Sequence, residues 1–561
     1  MKKPIHEKKV YENVRDVIEE VGSIYSGKTA YSYRIKASDK VVQKKTFDEL
    51  RDDVRALATE FVARGVSGKH VALVGKLSYH WILVYYATLC AGGVLVPLDK
   101  EWLAKDLAET GAKAEVSFVF CDGDAIEKGR EISEAAGAEE PITLEYGEGT
   151  VDELVELGRV KFGADSAPYY NTKINVDELA LLVFTSGTTG KGKGVMLSQK
   201  NILTDIASPL QHIDFSFKTV GVLPPHHTFG STVSILGHCC IGCEVYISSG
   251  IRYVQRELKE QTPGHIVLVP LYLETFYRKI MSNIKDQGKE KLIATMIKVS
   301  NLLRKVGIDL RRKLFKAVLE AFGGEVRMVV CGGAPINQDI LSFFDGVGIE
   351  VLNGYGITEC APIIACNHSH NVIPGSVGPA SDVNEVLIHE PNEDGEGEIW
   401  AKGTNVMLGY YKDPEATKDA ITKDGYFRTG DYGKLGKDGE IYITGRKKNL
   451  IILSNGKNVY PEEIEAEFIA VPGVIDIIVY EGQSKRGLMY NTIVAEVYPD
   501  QDYITKNGIT DIEAHLKKYV DEYNLHAVPY KKIGILKVRT EEFPKNTLRK
   551  IMRFKLNMTI D

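Results

Sequence analysis

Cysteine is scarce in this chain, 8 of 561 residues, and scattered, so a disulfide-stapled scaffold is excluded and a reducing, cytoplasmic setting is expected. Long basic blocks are also missing. Acidic residues outnumber basic ones, 76 to 69, for a net charge of −7, which argues against a protein built to neutralise a phosphate backbone, so no nucleic acid partner is expected. Uninterrupted apolar runs are the third absence. The most hydrophobic window, Trp81 to Leu98, comes near the ~18 residues of a membrane span, but Gly92, Gly93 and Pro97 divide it. It reads as a buried helix from about Tyr79 to Ala91 followed by a core strand at Val94–Val96. Met1 to Lys9 is basic, with no apolar stretch behind it, and does not read as a secretory signal.

What is present is the composition of a globular protein, 44% hydrophobic and 26% charged, long enough for about three to four domain-sized units. Short aliphatic runs recur at Val71–Val74, Ser117–Phe120, Ala180–Phe184, His265–Val269 and Val326–Val330. Each is followed by a Gly, Pro, Ser or Asp cluster and then by helical spacing, the pattern of a parallel α/β sheet whose sites form at strand ends. Lys279 to Glu320 reads as a set of solvated, Lys- and Arg-rich helices around Leu302, Leu303, Leu310, Leu314 and Leu319. After Val377 the texture becomes β-rich, with hairpins at Gly395–Trp400 and Lys437–Ile443. The expected fold is therefore α/β: a large N-terminal domain of layered α/β sheets with a β-rich subdomain, residues 1–445, and a small α+β domain, residues 446–561. In the latter, strands are expected near Ile475–Tyr480 and Asn491–Val497, and a helix near Ile512–Tyr523. His238–Cys243 contains a CxxC, which without a second ligand pair reads as buried cysteines of an apolar strand.

Phe184-Thr185-Ser186-Gly187-Thr188-Thr189-Gly190-Lys191-Gly192-Lys193-Gly194 carries the most chemistry. Backbone N–H groups free to approach closely, hydroxyls and ammonium groups behind a core strand make a phosphate cradle. Gly187, Gly192 and Lys193 satisfy GxxxxGK, but Gly194 stands where a P-loop needs Ser or Thr for magnesium, so a P-loop NTPase is set aside.

The loop resembles the phosphate-binding signature of the acyl-adenylate-forming superfamily, with Gly192 where that family usually has Pro, a change that should loosen the loop. Further segments match in the family's order. Leu223–Gly230 resembles the motif whose His lies beside the carboxylate pocket, with His227 the better match and His226 the second. Cys331–Pro335 places Gly333, Ala334 and Pro335 along the adenine. In Asn353–Glu359, the resemblance implies that Asn353, Gly354, Tyr355 and Gly356 line the nucleotide, Tyr355 stacking on adenine. It gives Thr358 the α-phosphate and Glu359 Mg²⁺, roles suited to an aromatic face and a hard carboxylate. Asp431 matches the ribose acceptor, Arg446 a nucleotide ligand and Lys448 the hinge of the mobile C-terminal domain, with Asn449 where Asp is common. Ser454–Glu465 is similar in wording to bacterial long-chain fatty acyl-CoA synthetases. Phe543–Arg553 resembles the C-terminal lysine motif, in which Lys550 is the catalytic match and Arg549 stands where Gly is common.

The resemblance implies a two-step ligase: ATP and a medium- to long-chain fatty acid give acyl-AMP and pyrophosphate, and CoA then takes the acyl group. Lys550, Glu359, His227 and Lys193 would be catalytic, and Thr185 to Gly190 would hold ATP. An acyl-carrier-protein ligase or stand-alone adenylation enzyme would share the first half. No transmembrane segment is expected, which leaves room for peripheral membrane contact.

Overall fold

The computed structural model describes residues 4–185, 192–453, 457–483, 489–545 and 551–560. Its largest sheet has seven strands, in the order Gly409–Tyr410, Lys193–Ser198, Leu179–Thr185, Val94–Leu98, His70–Val74, Val116–Cys121, Ile142–Thr143. The strands from Leu179–Thr185 to Ile142–Thr143 run parallel, and helices on both faces explain why they read as unbroken apolar runs. Residues Tyr79–Cys90 form the expected helix, started by Ser78, whose hydroxyl accepts from the Trp81 N–H. Every residue of it is buried, so it is a core helix and no membrane segment.

One expectation fails at the phosphate loop. The run at Ala180–Phe184 leads into an antiparallel partner, Lys193–Ser198, with Thr185 opposite Lys193, and no helix follows directly. The helix starts only at Gln199, behind a capping box on Ser198 and Asn201, because Gly194–Leu197 is itself a buried β run. The loop therefore joins two neighbours in the sheet.

A second sheet sets His265–Leu268, Met328–Gly332 and Glu350–Gly356 in parallel, and Ile363–Cys366 antiparallel at the edge. A third pairs Thr29–Tyr33 with Glu244–Ile247. The β-rich part is antiparallel, Asn384–His389, Gly397–Gly403, Phe427–Leu435 and Ile441–Arg446, with the two expected hairpins at its turns.

Past Arg446 the strands Val474–Gln483, Met489–Pro499 and Ile533–Val538 form a separate sheet backed by the helix Ile512–His526. The third strand, parallel to the second, has no counterpart in the expected pattern. Ile464, Phe468, Val479, Ala495, Leu516 and Val520 give this part its own core. It meets the rest of the chain through Asn337 Nδ2 to the Ala466 carbonyl at 2.6 Å, Arg278 to the Val474 carbonyl at 3.3 Å and Lys506 to Asp286 at 2.6 Å, and through Ile469, which packs against the apolar cluster that contains Phe276 and Phe343.

Two further readings need correction. Leu302 and Leu314 are 65% and 40% exposed, and the helix Glu290–Arg304 turns Ile293, Met296 and Ile297 inward instead. Leu319 is buried as expected, and Leu303 and Leu310 are half-buried. The cysteines of 239–243 are not in a strand: Cys239 and Cys240 lie in a short helix after a π-helix, Phe229–Gly237, and Cys240 is only half-buried.

Candidate active site

The two sheets bring most of the motif residues to neighbouring strand ends. Thr185 closes one strand and Lys193 opens its partner, the Thr185 hydroxyl reaching the Lys193 carbonyl at 3.5 Å. A Cβ on Gly192 would lie 2.9 Å from the Thr185 carbonyl, so the closed hairpin has no room for a side chain at this position. Ser186, Gly187, Thr188, Thr189 and Gly190, and the catalytic match Lys550, lie outside the described residues.

Lys193 extends over the Tyr410 ring, its Nζ 4.6 Å from the centroid, and the Tyr410 hydroxyl donates to Glu359 Oε1 at 2.8 Å. Tyr410 thus links a cation and a carboxylate that the motifs named separately. Its strand is only two residues long, Gly409–Tyr410, and pairs with Met196 and Val195 beside Lys193. No motif pointed to it; the only signal is the aromatic pair after Gly409.

Glu359 sits on the turn Thr358–Cys360, which is pinned from below. Asp205, fully buried on the helix Gln199–His212, accepts from the Ile363 N–H at 3.1 Å and from Asn405 Nδ2 at 2.9 Å. Asn405 Nδ2 also reaches the Cys360 carbonyl at 2.9 Å. Burial pushes the Asp205 carboxyl far above the usual carboxylate range. A half-buried carboxylate with one oxygen held by Tyr410 suits Mg²⁺, which binds through one or two carboxylates and completes its shell with phosphates and water.

Across the site, Gly332 and Gly354 pair in register, so Gly333–Pro335 and Asn353–Gly356 leave adjacent strands side by side. Gly356 is obligatory: a Cβ would fall 1.9 Å from the Pro362 carbonyl. The Tyr355 hydroxyl donates to Asp431 Oδ2 at 2.8 Å, and Arg446 Nε meets Asp431 Oδ1 at 2.8 Å. Burial and the adjacent Asp431 charge keep the phenol protonated. Asp431 and Arg446 are themselves paired across the Phe427–Leu435 and Ile441–Arg446 hairpin. Lys448 follows in the turn Lys447–Asn449, where the Asn449 amide donates to Glu462. An Asp at 449 would place two carboxylates together, which gives the Asn a local reason.

His226 and His227 lie with ring centroids 4.2 Å apart, His226 Nε2 3.6 Å from Asp99 Oδ2. Burial pushes His226 down to about 4, so it is neutral near pH 7. The His227 carbonyl accepts from the Gly230 and Ser231 N–H groups at 2.9 Å, opening the π-helix. A cavity of about 90 Å³, lined by neither His226 nor His227, joins Gly333, Tyr355 and Gly356 to His238 and to an apolar lining that includes Leu210, Phe215, Phe229 and Val233. Long π-helices are rare and cluster at functional sites, and this one supplies part of that lining.

A glycine-walled cleft beside the Tyr355 ring, with one carboxylate held by Tyr410 and another paired to Tyr355 and Arg446, thus opens onto a largely apolar cavity. The chain belongs to the AMP-binding enzyme family, which it matches over residues 18–411. It is 27% identical over 502 residues to long-chain-fatty-acid–CoA ligase 5 of Rattus norvegicus, covering 83% of this chain and 73% of that protein. It is 28% identical over 464 residues to long-chain-fatty-acid–CoA ligase FadD15 of Mycobacterium bovis, covering 77% and 74%. Among solved structures, ATP-bound MatB from Rhodopseudomonas palustris superposes with a TM-score of 0.75 at 26% identity, over 96% of this chain and 97% of that one. No helix among the described residues is long and apolar enough to cross a membrane.

Proposed function

We propose that this protein activates a medium- to long-chain fatty acid with ATP and passes the acyl group to CoA. It is an AMP-forming acyl-CoA ligase. The observation that carries the substrate reading is the cavity, in which an apolar acid pocket and the nucleotide residues Gly333, Tyr355 and Gly356 share one lining. The curated relatives named above, both long-chain-fatty-acid–CoA ligases, support the same class of acid. At about 90 Å³ the pocket is smaller than the ~150 Å³ void that takes benzene, so a fatty chain enters only as the lining side chains turn aside.

In the first half-reaction a carboxylate oxygen attacks the α-phosphorus and pyrophosphate leaves. Anion meets anion, so cations must stand at the reacting centre and on the leaving group. Lys193 and the 185–190 loop hold the pyrophosphate, Thr358 the α-phosphate, and Lys550 the developing charge. Glu359, oriented by Tyr410, would hold Mg²⁺, which supplies charge neutralisation on the phosphates. Tyr355 faces adenine. Asp431 takes the ribose hydroxyls, an exchange that Arg446, with 43% of its side chain exposed, allows by turning toward the phosphates. His227 lies beside the acid carboxylate.

In the second half the CoA sulfur attacks the acyl carbon and AMP leaves. Lys550 must withdraw first, and residues 446–561 move as a unit about Lys448, a motion favoured by their separate core. A carrier-protein thiol would use the same first half. Incubation with ATP, a panel of fatty acids and either CoA or acyl-carrier protein, read by mass spectrometry, tests the acceptor: acyl-CoA is expected, and product only on the carrier protein would overturn the CoA reading.

A further inference from the structure

Away from the nucleotide, His238, Cys243 and His265 form one buried set of soft donors, 2%, 1% and 1% exposed, with ligand atoms within 4.8 Å of one another. They come from three places: the end of the π-helix segment, the turn before Glu244–Ile247, and the first residue of His265–Leu268.

Their hydrogen bonds leave a conflict. The Ser234 carbonyl, 2.6 Å from His238 Nδ1, can only accept, so Nδ1 carries the hydrogen and Nε2 a lone pair. The Ser216 hydroxyl donates to the Lys218 carbonyl at 3.0 Å, so its oxygen, 2.7 Å from His265 Nδ1, accepts from that nitrogen. His265 Nε2 then also carries a lone pair, and the two Nε2 atoms face each other at 2.7 Å. With the Ser216 hydroxyl turned to Lys218, the two lone pairs face each other unless a cation lies between them. A proton would leave an imidazolium sealed beside Phe215, whose ring stands edge-on to both histidines, and neither ring bonds a carboxylate among the described residues.

We propose that His238 Nε2, His265 Nε2 and Cys243 Sγ bind one thiophilic closed-shell cation, Zn²⁺ or Cu⁺. Zinc–nitrogen bonds of ~2.0–2.1 Å in tetrahedral geometry put the two nitrogens about 3.3 Å apart, so the rings part by roughly 0.6 Å. The Cys243 thiol loses its proton to solvent on binding. The Ser234 carbonyl and Ser216 hydroxyl then hold the two Nδ1–H groups, the outer-shell support that fixes metal-binding histidines. Two neutral imidazoles and a thiolate balance Cu⁺ as a three-ligand set, and Zn²⁺ takes a fourth ligand such as water. The ion fastens Gly237 and His238, which line the acid cavity, to the neighbouring strand.

The test uses chelator-treated full-length protein, titrated with Zn²⁺ against a chromophoric chelator and, under reducing conditions, with Cu⁺ against a Cu⁺-specific one. One equivalent per chain of either ion is expected, the two titrations telling them apart, together with a rise in Tm. Co²⁺ in place of Zn²⁺ is expected to show thiolate-to-cobalt charge-transfer absorption. Cys243→Ser and His265→Gln weaken binding by roughly 100-fold or more, since loss of an outer-shell partner alone costs about 10–100-fold. Cys240→Ser, which removes the other cysteine of the CxxC, leaves it unchanged. If the wild-type protein takes up neither ion at one equivalent, or Cys243→Ser binds like wild type, the Ser216 hydroxyl serves His265 and the histidines share an ordinary hydrogen bond; the inference then falls.

Discussion

The nucleotide side and the acid side of the site are built on opposite principles. On the nucleotide side, charged and phenolic groups are fixed in pairs: Tyr355 to Asp431, Asp431 to Arg446, Tyr410 to Glu359. On the acid side the walls are apolar, part of them a π-helix, and the histidines at its edge are neutral, burial pushing His238 down to about 4. Charge stabilisation of a transition state needs groups already in place, whereas apolar recognition tolerates repacking and discriminates by only ~1–3 kcal/mol per methylene. The proposed function therefore places the chemistry on the paired polar groups and the choice of acid on the apolar walls.

Changes to the groups assigned to the chemistry should lower rate without altering acid preference. The largest effect is expected from Lys550→Ala, a loss of roughly 10²–10³ in pyrophosphate release, with thioester formation from supplied acyl-AMP largely retained. Equal loss of both halves would remove the role given to Lys550. Asp431→Ala, which strands Tyr355 and Arg446 as well as the ribose, should lower kcat/KM for ATP by about 100-fold, with the same ranking of acids. Val233→Phe should do the reverse, cutting activity on the longest acids by roughly 10- to 100-fold while the KM for ATP stays put. A shift in ATP affinity would show the halves to be coupled. Tyr410→Phe removes one charge-assisted hydrogen bond to Glu359 and should cost about tenfold in kcat, with the Mg²⁺ requirement moved to higher concentration.

A separate effect concerns stability at the contact between the two parts of the chain. Burial pushes the Glu274 carboxyl up to about 7, Arg278 opposing it and Asp476 across the contact adding to it. Between about 4.5 and 7 the folded chain keeps a proton the unfolded chain has lost, so stability falls as pH rises through that window, by at most about 3 kcal/mol. Glu274→Gln should flatten that slope in urea unfolding measured from pH 5 to 8; an unchanged slope would assign it to another group.

The same contrast decides what could be read from the sequence. Nucleotide residues lie in short contiguous motifs whose types match their chemistry, and Asp431 with Arg446, or Gly333 with Tyr355, prove to be neighbours. Tyr410 escaped because its part is made by a two-residue strand pairing with Lys193–Ser198, which only the fold reveals. Asp205 and Asn405 brace Glu359 from 200 residues apart and carry no local signature. The acid cavity draws on residues 206–238 and 330–366 together, and His265 joins His238 and Cys243 only through strand order, which the local His238–Cys243 cluster does not reveal. The spacing after Phe184 predicts a strand-to-helix turn, but the helical spacing belongs to Gln199–His212, one strand later.

The most direct test is pyrophosphate release from ATP by the wild-type protein, without thiol, across acids from acetate to oleate. An adenylate-forming enzyme with this site releases pyrophosphate only when acid is present, with an optimum among medium to long chains. Release indifferent to acid, or none with any of them, would contradict it.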